Sequence, residues 1–497
     1  MAANSNCTCT ALVLRILLGG GLFSAWPASA AQIHEALDVD GSGATAATIH
    51  HLTSPMATRP SQRGRELDLW RGTFERDKQR GRRLHAAACG TTTPTTAAAA
   101  LDMPVSSGFQ LVNTGSYFAR LTVGGGLDPH SRRDVYMIMD TGSDLSWIQC
   151  QPCDSCFQQL DTPIFDPAAS STHRNVTCGS PLCAAGPAAT WCLPDDPLQL
   201  HRGSNLCAYL MTYYDGSTTA GTLITDTLTL GSGHTFPHMA FGCSTGSTGG
   251  FVGAAGVLGL GTGALSLPSQ LQKSGHSSTF SYCLPPMFSS SNSTLTFAAP
   301  ISPDTVFTPL VRNPNFALQN HYYIALKGIS VGGVRLPIPS FLFQMNRRTG
   351  TGGTMVDSGT TITSLPPLAY TTLRNALRKA ISANATHLRT ADPLENMFDT
   401  CYLPKHPTAA DSRDNILNGI PSVVLHFARG ADLELPPANV FAPINNPGGL
   451  DKRLCLSMAP AAQNITIIGN IQQQGIRFTF DTQNGRLGFS TTQTCYK

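Results

Sequence analysis

Two short apolar segments stand out in the chain because each runs directly into an aspartate. The first covers residues 135–139 and is followed by Asp140, and the second covers residues 354–356 and is followed by Asp357. Short apolar runs that end in turn-forming residues are typical of buried β-strands. We therefore predict two buried strands, each with an aspartate at its carboxyl end.

Each predicted strand has a distant companion made of two apolar residues and a glycine. Val257-Leu258-Gly259 ends 119 positions after Asp140, and Ile467-Ile468-Gly469 ends 112 positions after Asp357. A unit that recurs at such a long period indicates a duplicated fold. The chain is thus predicted to form two homologous lobes, each of which contributes one aspartate to a shared cleft.

Local patterns predict three further elements. The segment 210–217 predicts a β-hairpin with Asp215-Gly216 at its tip, and a strand from Thr222 to Leu230 follows it. Such a hairpin is either a mobile flap over the aspartates or an ordinary surface hairpin. Two prolines, at 366 and 367, start a predicted helix with four apolar residues on one face: Tyr370, Leu373, Leu377 and Ile381.

Composition narrows the class of protein. At 497 residues the chain exceeds a single hydrophobic core and should divide into lobes. Charged residues make up 13%, about half the usual share, while Gly, Pro, Ser and Thr are abundant, as in turn-rich extracellular β-proteins. A net charge of +3 gives no reason to expect a nucleic-acid partner. Beyond the amino terminus, no run reaches the roughly 20 apolar residues of a membrane helix, so we expect a soluble monomer without membrane partners.

Residues 1–30 predict a signal peptide and therefore a secreted, extracellular protein. An apolar stretch follows Arg15, and Ala28-Ser29-Ala30 supplies a cleavage site of small residues. Because no acidic residue precedes Glu35, a plastid transit peptide is the alternative, and a vacuolar destination is also left open.

Residues 31–105 predict a prosegment and a flexible linker ahead of the lobes at 106–305 and 306–497. Nine basic and four acidic residues lie between Arg59 and Arg83, and 91–100 is of low complexity. We expect the basic part to mask an acidic cleft at neutral pH, which would make it an intramolecular inhibitor. A solvated basic linker without that role is the alternative.

Cysteine usage supports an oxidising compartment. Twelve of the 15 cysteines, an even number, follow residue 100. Seven of these lie between Cys150 and Cys207, so at least one must pair outside the cluster, and Cys243 is the nearest candidate. The spacing of Cys150, Cys153 and Cys156 would also suit a metal ion, but a secreted chain favours disulfides.

The residues around the two aspartates suit acid–base catalysis. Two carboxyl groups a few ångströms apart share a proton, as in the aspartic-protease dyad that is the standard example of split titration. One can then accept a proton from water while the other donates one to a carbonyl oxygen. A single Asp-hydroxyl-Gly would more often be a turn, but two matched copies favour catalysis by Asp140 and Asp357 without a cofactor or metal. The supporting residues are Thr141, Gly142, Ser143, Ser358, Gly359 and Thr360. The glycines permit tight turns, and the hydroxyls of Ser143 and Thr360 can bind the outer carboxylate oxygens.

Two other motifs do not fit their usual chemistry. Residues 242–246 match the serine nucleophile elbow, with Ser244 at its centre, but the flanking sequence lacks helical periodicity. Residues 259–263 are rich in glycine, but no Lys-Ser or Lys-Thr follows, so they are not a phosphate loop.

From about residue 106 onward, the chain resembles the pepsin-like aspartic proteases, and most closely the plant nepenthesin-type subgroup. The resemblance rests on four features, which are the segments 140–147 and 357–360, the cysteine-rich insert after Asp140, and the carboxyl-terminal run 467–489. It implies an all-β, bilobal fold with pseudo-twofold symmetry, and hydrolysis of protein or peptide substrates at acidic pH through a bound water. It further implies that Tyr213 is the flap tyrosine, with Trp147 beside the substrate, and that Cys401 pairs with Cys455.

The chain departs from the subgroup in two places. Tyr214 stands where the flap usually has a glycine, and 124–126 with 131–134 replace the usual Gly-Thr-Pro segment. Both changes bear on specificity and rate but leave the dyad intact. The alternative function is a non-catalytic protein on the same scaffold, such as the plant inhibitors of cell-wall glycosidases. Those proteins have generally lost part of the dyad environment, whereas this chain keeps both aspartates, both glycines and both hydroxyls.

Overall fold

Strands dominate the described part of the chain, as the turn-rich composition predicts. The computed structural model describes residues 100–126, 131–160, 162–186, 190–192, 205–315, 318–394, 398–406, 413–445 and 452–490. The predicted signal peptide and nearly all of the predicted prosegment lie outside these residues.

The strands of the first half are β1 (Leu101–Ser107), β2 (Tyr117–Val123), β3 (Arg133–Asp140), β4 (Trp147–Gln149), β5 (Arg174–Asn175), β6 (Thr190–Cys192), β7 (Cys207–Thr212), β8 (Thr218–Thr229), β9 (Thr235–Thr248), β10 (Gly256–Gly259), β11 (Phe280–Cys283) and β12 (Ser293–Phe297). Its helices are α1 (Gly108–Val112), α2 (Pro181–Ala184) and α3 (Leu267–Lys273).

The strands of the second half are β13 (Val306–Pro309), β14 (Tyr322–Ile324), β15 (Leu326–Val331), β16 (Val334–Arg335), β17 (Thr354–Val356), β18 (Thr363–Leu365), β19 (Leu388–Ala391), β20 (Cys401–Pro404), β21 (Val423–Phe427), β22 (Asp432–Leu435), β23 (Phe441–Asn445), β24 (Lys452–Leu456), β25 (Met458–Pro460), β26 (Thr466–Ile468), β27 (Arg477–Asp481) and β28 (Arg486–Ser490). Its helices are α4 (Pro367–Asn384), α5 (Arg413–Leu417) and α6 (Pro437–Val440).

One sheet of fifteen strands joins the two halves of the chain. Its order is β13-β28-β27-β11-β12-β1-β2-β3-β10-β4-β9-β8-β7-β6, with β5 paired to β8. The junction is the antiparallel pair β11–β27, in which Phe280 lies opposite Phe480 and the two rings stack with centroids 4.6 Å apart. Strand β1 begins at Leu101, so residues 101–105, which the sequence assigned to the linker, belong to this sheet.

The predicted internal repeat is two copies of one strand arrangement. In the first half, β10 runs parallel to β3, with Gly259 opposite Asp140. In the second half, β26 runs parallel to β17, with Ile468 opposite Val356, the residue before Asp357. The match confirms the all-β fold with two related halves, because each aspartate lies at the end of an equivalent parallel pair.

The remaining local predictions are largely confirmed. Helix α4 begins at Pro367 and buries the predicted apolar face, together with Ala369. The hairpin is formed by β7 and β8 around Asp215-Gly216. However, β8 begins at Thr218, four residues before the predicted start, because two threonines and two small residues, 218–221, extend the ladder toward the tip.

Disulfides account for the clustered cysteines. The bridges are Cys150–Cys243, Cys153–Cys156, Cys178–Cys192, Cys183–Cys207 and Cys401–Cys455. Cys283 is also disulfide-bonded. The expected link out of the cluster to Cys243 and the second-half bridge are both confirmed, and the metal alternative at Cys150, Cys153 and Cys156 is wrong because all three form disulfides. Within the described ranges, no helix is both long and apolar enough to span a membrane.

Candidate active site

The site is built where the two repeated strands end. Asp140 is the last residue of β3, and Asp357 directly follows β17. Both are buried, with 1% and 0% of their surface exposed. Both strands are interior members of their sheets, since β3 lies between β2 and β10, and β17 lies between β14 and β26.

The two carboxylates accept the same pair of hydrogen bonds. For Asp140, the backbone N–H of Gly142 donates to Oδ1 at 3.0 Å and Ser143 Oγ donates to Oδ2 at 2.6 Å. For Asp357, the corresponding donors are Gly359 N at 2.9 Å and Thr360 Oγ1 at 2.6 Å. The hydroxyl bonds are those that the sequence predicted. Each carboxylate is therefore fixed in orientation by one amide and one hydroxyl.

The two aspartate loops are tied to each other by a second reciprocal pair of bonds. Thr141 N donates to Ser358 Oγ at 3.1 Å, and Ser358 N donates to Thr141 Oγ1 at 2.9 Å. Ser358 Oγ in turn donates to the carbonyl of Met139 at 2.9 Å. The sequence alone predicts only a general supporting role for Thr141 and Ser358. Their hydroxyls in fact lock one loop against the other.

The two aspartates share one site because their loops are in contact. A Cβ placed on Gly142 would lie 2.8 Å from Asp357 Oδ2 and 2.9 Å from its Cγ. Any side chain at Gly142 would therefore push the second carboxyl group away. The absence of a Cβ here is a packing requirement of the site as well as a requirement of the turn.

The side-chain amide of Gln473 supports the backbone around the second aspartate. Gln473 Nε2 donates to the carbonyl oxygens of Asp357 at 3.2 Å and Ile468 at 2.9 Å. The phenol of Tyr282, from the first half, donates to Gln473 Oε1. Burial, and then the negative charge of Asp357, raise the pKa of Tyr282 well above its usual value, so this phenol remains a donor. In the sequence, this glutamine run contributes only to the family resemblance. The available signal is three consecutive glutamines, 472–474, that follow the glycine of the repeated unit.

The hairpin brings Tyr213 and Trp147 together. Trp147 Nε1 donates to the Tyr213 hydroxyl at 2.7 Å, which links the hairpin to the fully buried indole beside the first aspartate loop. Phe251 packs edge-on against both rings, with centroid distances of 4.9 Å to Trp147 and 5.4 Å to Tyr213. The hairpin tip is closed by Asp215, whose Oδ1 accepts the N–H of Ser217 at 2.9 Å.

Ser244 is not placed for nucleophilic attack. It lies within β9 rather than at a strand-to-helix turn, and none of its surface is exposed. Its Oγ lies 2.7 Å from Ser247 Oγ and 3.1 Å from the carbonyl of Ala220. The described residues contain no cluster of three or more His, Cys, Asp or Glu that could hold a metal ion.

A buried pair of aspartates, each at the end of a repeated β-unit and bound by an amide and a hydroxyl, defines the pepsin-like aspartic proteases as the class. Comparison with known proteins agrees with this. Family models described as xylanase inhibitor N-terminal and xylanase inhibitor C-terminal match residues 117–298 and 321–491.

Curated relatives cover most of the chain. Protein ASPARTIC PROTEASE IN GUARD CELL 2 from Arabidopsis thaliana is 38% identical over 76% of this chain and 72% of its own length. Aspartic proteinase nepenthesin-1 from Nepenthes gracilis is 37% identical over 86% of each chain. The crystal structure of edgp superimposes with a TM-score of 0.63 at 21% identity, covering 81% of this chain and 98% of that one, which supports the fold alone.

The chain belongs to the plant family of pepsin-like aspartic proteases that includes the nepenthesins. The expectation that it is an aspartic-type endopeptidase, a hydrolase, is confirmed at the level of the family.

Proposed function

We propose that this chain cleaves peptide bonds within proteins at acidic pH, using a water molecule held between Asp140 and Asp357. The observation that carries the proposal is the matched set of bonds to the two carboxylates, together with the contact between Gly142 and Asp357. Carboxyl groups that lie side by side in a dyad of this kind share a proton rather than both ionising.

The chemistry follows from that shared proton. The ionised carboxylate accepts a proton from the water as its oxygen attacks the peptide carbonyl, while the protonated partner donates its proton to the carbonyl oxygen. A neutral tetrahedral diol results, and the dyad again holds one proton. Collapse of the diol breaks the C–N bond and transfers a proton to the leaving nitrogen, which releases a carboxylic acid and an amine. The hydroxyls of Ser143 and Thr360 keep the carboxyl groups from rotating during both transfers.

The hairpin is proposed to cover the bound peptide. The Tyr213–Trp147 hydrogen bond holds the hairpin at the point where β7 ends, and the turn that follows is tight, with Gly216 at φ +82°. A covering hairpin of this kind excludes bulk water and can bind the substrate backbone. Tyr213 and Trp147 are therefore assigned to the substrate side of the site.

Acidic pH and secretion are linked in this proposal. Five described disulfides favour an oxidising compartment, and a signal peptide is predicted at residues 1–30.

We infer that the basic part of the prosegment inhibits the cleft until carboxylates are protonated. A synthetic peptide covering residues 59–85 should therefore inhibit the processed enzyme at neutral pH and lose potency in acid. An inactive peptide would count against this role.

The direct test is proteolysis of a denatured protein in acid. We expect cleavage that a statine-type inhibitor blocks, and a loss of roughly 10²–10⁴-fold in kcat for Asp140→Asn and for Asp357→Asn, since each removes either the base or the acid. Asp154→Asn, at an exposed position, is the matched control and should retain full activity. Sensitivity to a serine-acylating reagent instead would restore Ser244 as a candidate.

Binding without catalysis is the second candidate, and the family models favour it by their description as xylanase inhibitor domains. The complete dyad argues against it, because a protein that only binds has no need for two matched carboxylates. A folded wild-type chain that binds a glycoside hydrolase but cleaves no protein at any pH would establish this alternative.

A further inference from the structure

Asp144 lies four residues after Asp140 and has no part in the reaction described above. The glycine-rich run from Gly259 to Gly263 wraps around its carboxyl group. A Cβ on Gly261 would overlap Asp144 Oδ1, and a Cβ on Gly263 would overlap Oδ2. Gly263 N donates to Oδ1 at 2.7 Å. This glycine-rich run is not a phosphate loop. Its glycines instead make room for a carboxyl group of the protein itself.

The same loop is bonded to the start of the second half of the chain. Thr262 N donates to the carbonyl of Asn320 at 3.1 Å, and Thr262 Oγ1 donates to the carbonyl of Gln319 at 3.2 Å. The hydroxyl of Tyr322 donates to the carbonyl of Leu260 at 2.8 Å.

Asp144 itself takes part in this junction, because its carboxyl group is hydrogen-bonded to the side chain of Asn320. It thus contacts both halves, through Gly263 on one side and Asn320 on the other. We call Asp144, the loop 259–263 and the segment 319–322 the clasp.

The surroundings favour the neutral form of this carboxyl group. Withdrawal from water is the largest cause and the charge of Asp140 adds to it, and together they raise the pKa of Asp144 from 3.8 to about 7. The bonds from Gly263 and Asn320 act in the opposite direction and offset only part of the shift. The other titratable group facing it is Tyr322, whose phenol has a pKa raised well above its usual value by burial and then by the Asp144 charge.

We propose that Asp144 is a positioning residue for the dyad, and that its carboxyl group closes the clasp in the neutral form and loosens it when ionised. Ionisation would place a second negative charge beside Asp140, at a half-buried position that Gly261 and Gly263 closely enclose. The effect on catalysis rests on the proposed function, but the effect on stability does not.

The sign of the stability effect follows from proton linkage. The folded chain holds the Asp144 proton more tightly than the unfolded chain does, so this group stabilises the fold in acid. That contribution is lost as pH rises from about 4, where the unfolded group ionises, through about 7, where the folded group ionises. Asparagine at this position cannot ionise and can still accept the N–H of Gly263.

The first test measures thermal unfolding of the full-length chain from pH 4 to 8, in an Asp357→Asn background that prevents self-cleavage. We expect the Tm of this reference chain to fall across pH 4–7 by roughly 3–8 °C more than that of Asp144→Asn in the same background. Asp144→Ala should have a lower Tm at every pH, and Asp154→Asn should follow the reference. Parallel curves for Asp144→Asn and the reference would overturn the proposal, whether or not the protein is a protease.

The second test measures kcat and KM at acidic pH in the otherwise wild-type chain. Asp144→Ala should lower kcat by roughly 10–100-fold with little change in KM, because the first aspartate loop is displaced while the substrate cleft remains. Asp144→Asn should restore kcat and extend activity toward neutral pH. A wild-type kcat for Asp144→Ala would overturn the positioning role, whereas loss of activity in every chain, including wild type, would refute the proposed function instead.

Discussion

Replacing Ser358 by alanine tests how much the bond between the two aspartate loops contributes. The side chain is fully buried and makes two contacts through Oγ, accepting from Thr141 N and donating to the carbonyl of Met139. Alanine leaves that amide and that carbonyl buried without these bonds. At roughly 1–3 kcal/mol for each of these two unsatisfied groups, we expect the free energy of unfolding to fall by about 2–6 kcal/mol.

The effect on catalysis should exceed the effect on substrate binding. Ser358 directly follows Asp357 and bonds to both neighbours of Asp140, so its loss should shift one carboxyl group relative to the other and lower kcat by up to roughly 10²-fold. The assay is urea unfolding in an Asp140→Asn background, paired with kcat and KM in the active chain. Ser340→Ala, at an exposed position in the second half, is the matched control and should change neither. A loss below about 0.5 kcal/mol with an unchanged kcat would refute the reasoning.

Three further predictions concern the flap, the second half and its disulfide. Tyr213→Phe removes the hydrogen bond to Trp147 and should lower kcat/KM by roughly five-fold, as for one hydrogen bond of about 1 kcal/mol, and an unchanged value would contradict this role. Leu377→Ala, at a fully buried position of α4, should lower the free energy of unfolding by roughly 2–5 kcal/mol in urea, and a loss typical of an exposed position would contradict its burial. Replacing both Cys401 and Cys455 by alanine opens a loop of 54 residues and should destabilise the chain by about 4 kcal/mol, and a Tm equal to that of the parent would be against it.

The features predicted correctly from sequence were those whose determining residues lie close together in the chain. Asp140 and Asp357 could be recognised because an apolar strand, a carboxylate, a hydroxyl and a glycine are adjacent in the chain. Helix α4 could be recognised because prolines mark its start and its apolar face repeats at helical spacing. The hairpin could be recognised from Asp215-Gly216. In each case the determining interactions lie within a few residues.

The features missed were those that depend on contacts between distant residues. The pairing of Phe280 with Phe480 spans 200 positions, and no local sequence pattern specifies that β11 pairs with β27. The bond between Thr141 and Ser358 spans 217 positions and required both loops to be placed first. The start of β1 at Leu101 was missed because residues 91–100 are of low complexity, and the strand is recognisable only by its partners.

The environment of Asp144 could not be predicted from the sequence either, because it too depends on contacts between distant residues. Its carboxyl group belongs to the first aspartate motif, and the glycines that enclose it lie more than one hundred residues later, so the sequence offered two separate observations. The clasp joins them and adds Asn320, which no motif contained. Physical complementarity between a carboxyl group and a glycine loop becomes visible only in three dimensions.

The central claim is that the carboxyl groups of Asp140 and Asp357 act together on one water molecule. The most direct measurement is a crystal structure of the processed chain with a statine-type inhibitor, whose hydroxyl occupies the position of that water. We predict that this hydroxyl lies within roughly 3 Å of a carboxyl oxygen of each aspartate. An inhibitor bound elsewhere, or a hydroxyl in contact with only one of the two carboxyl groups, would contradict the account.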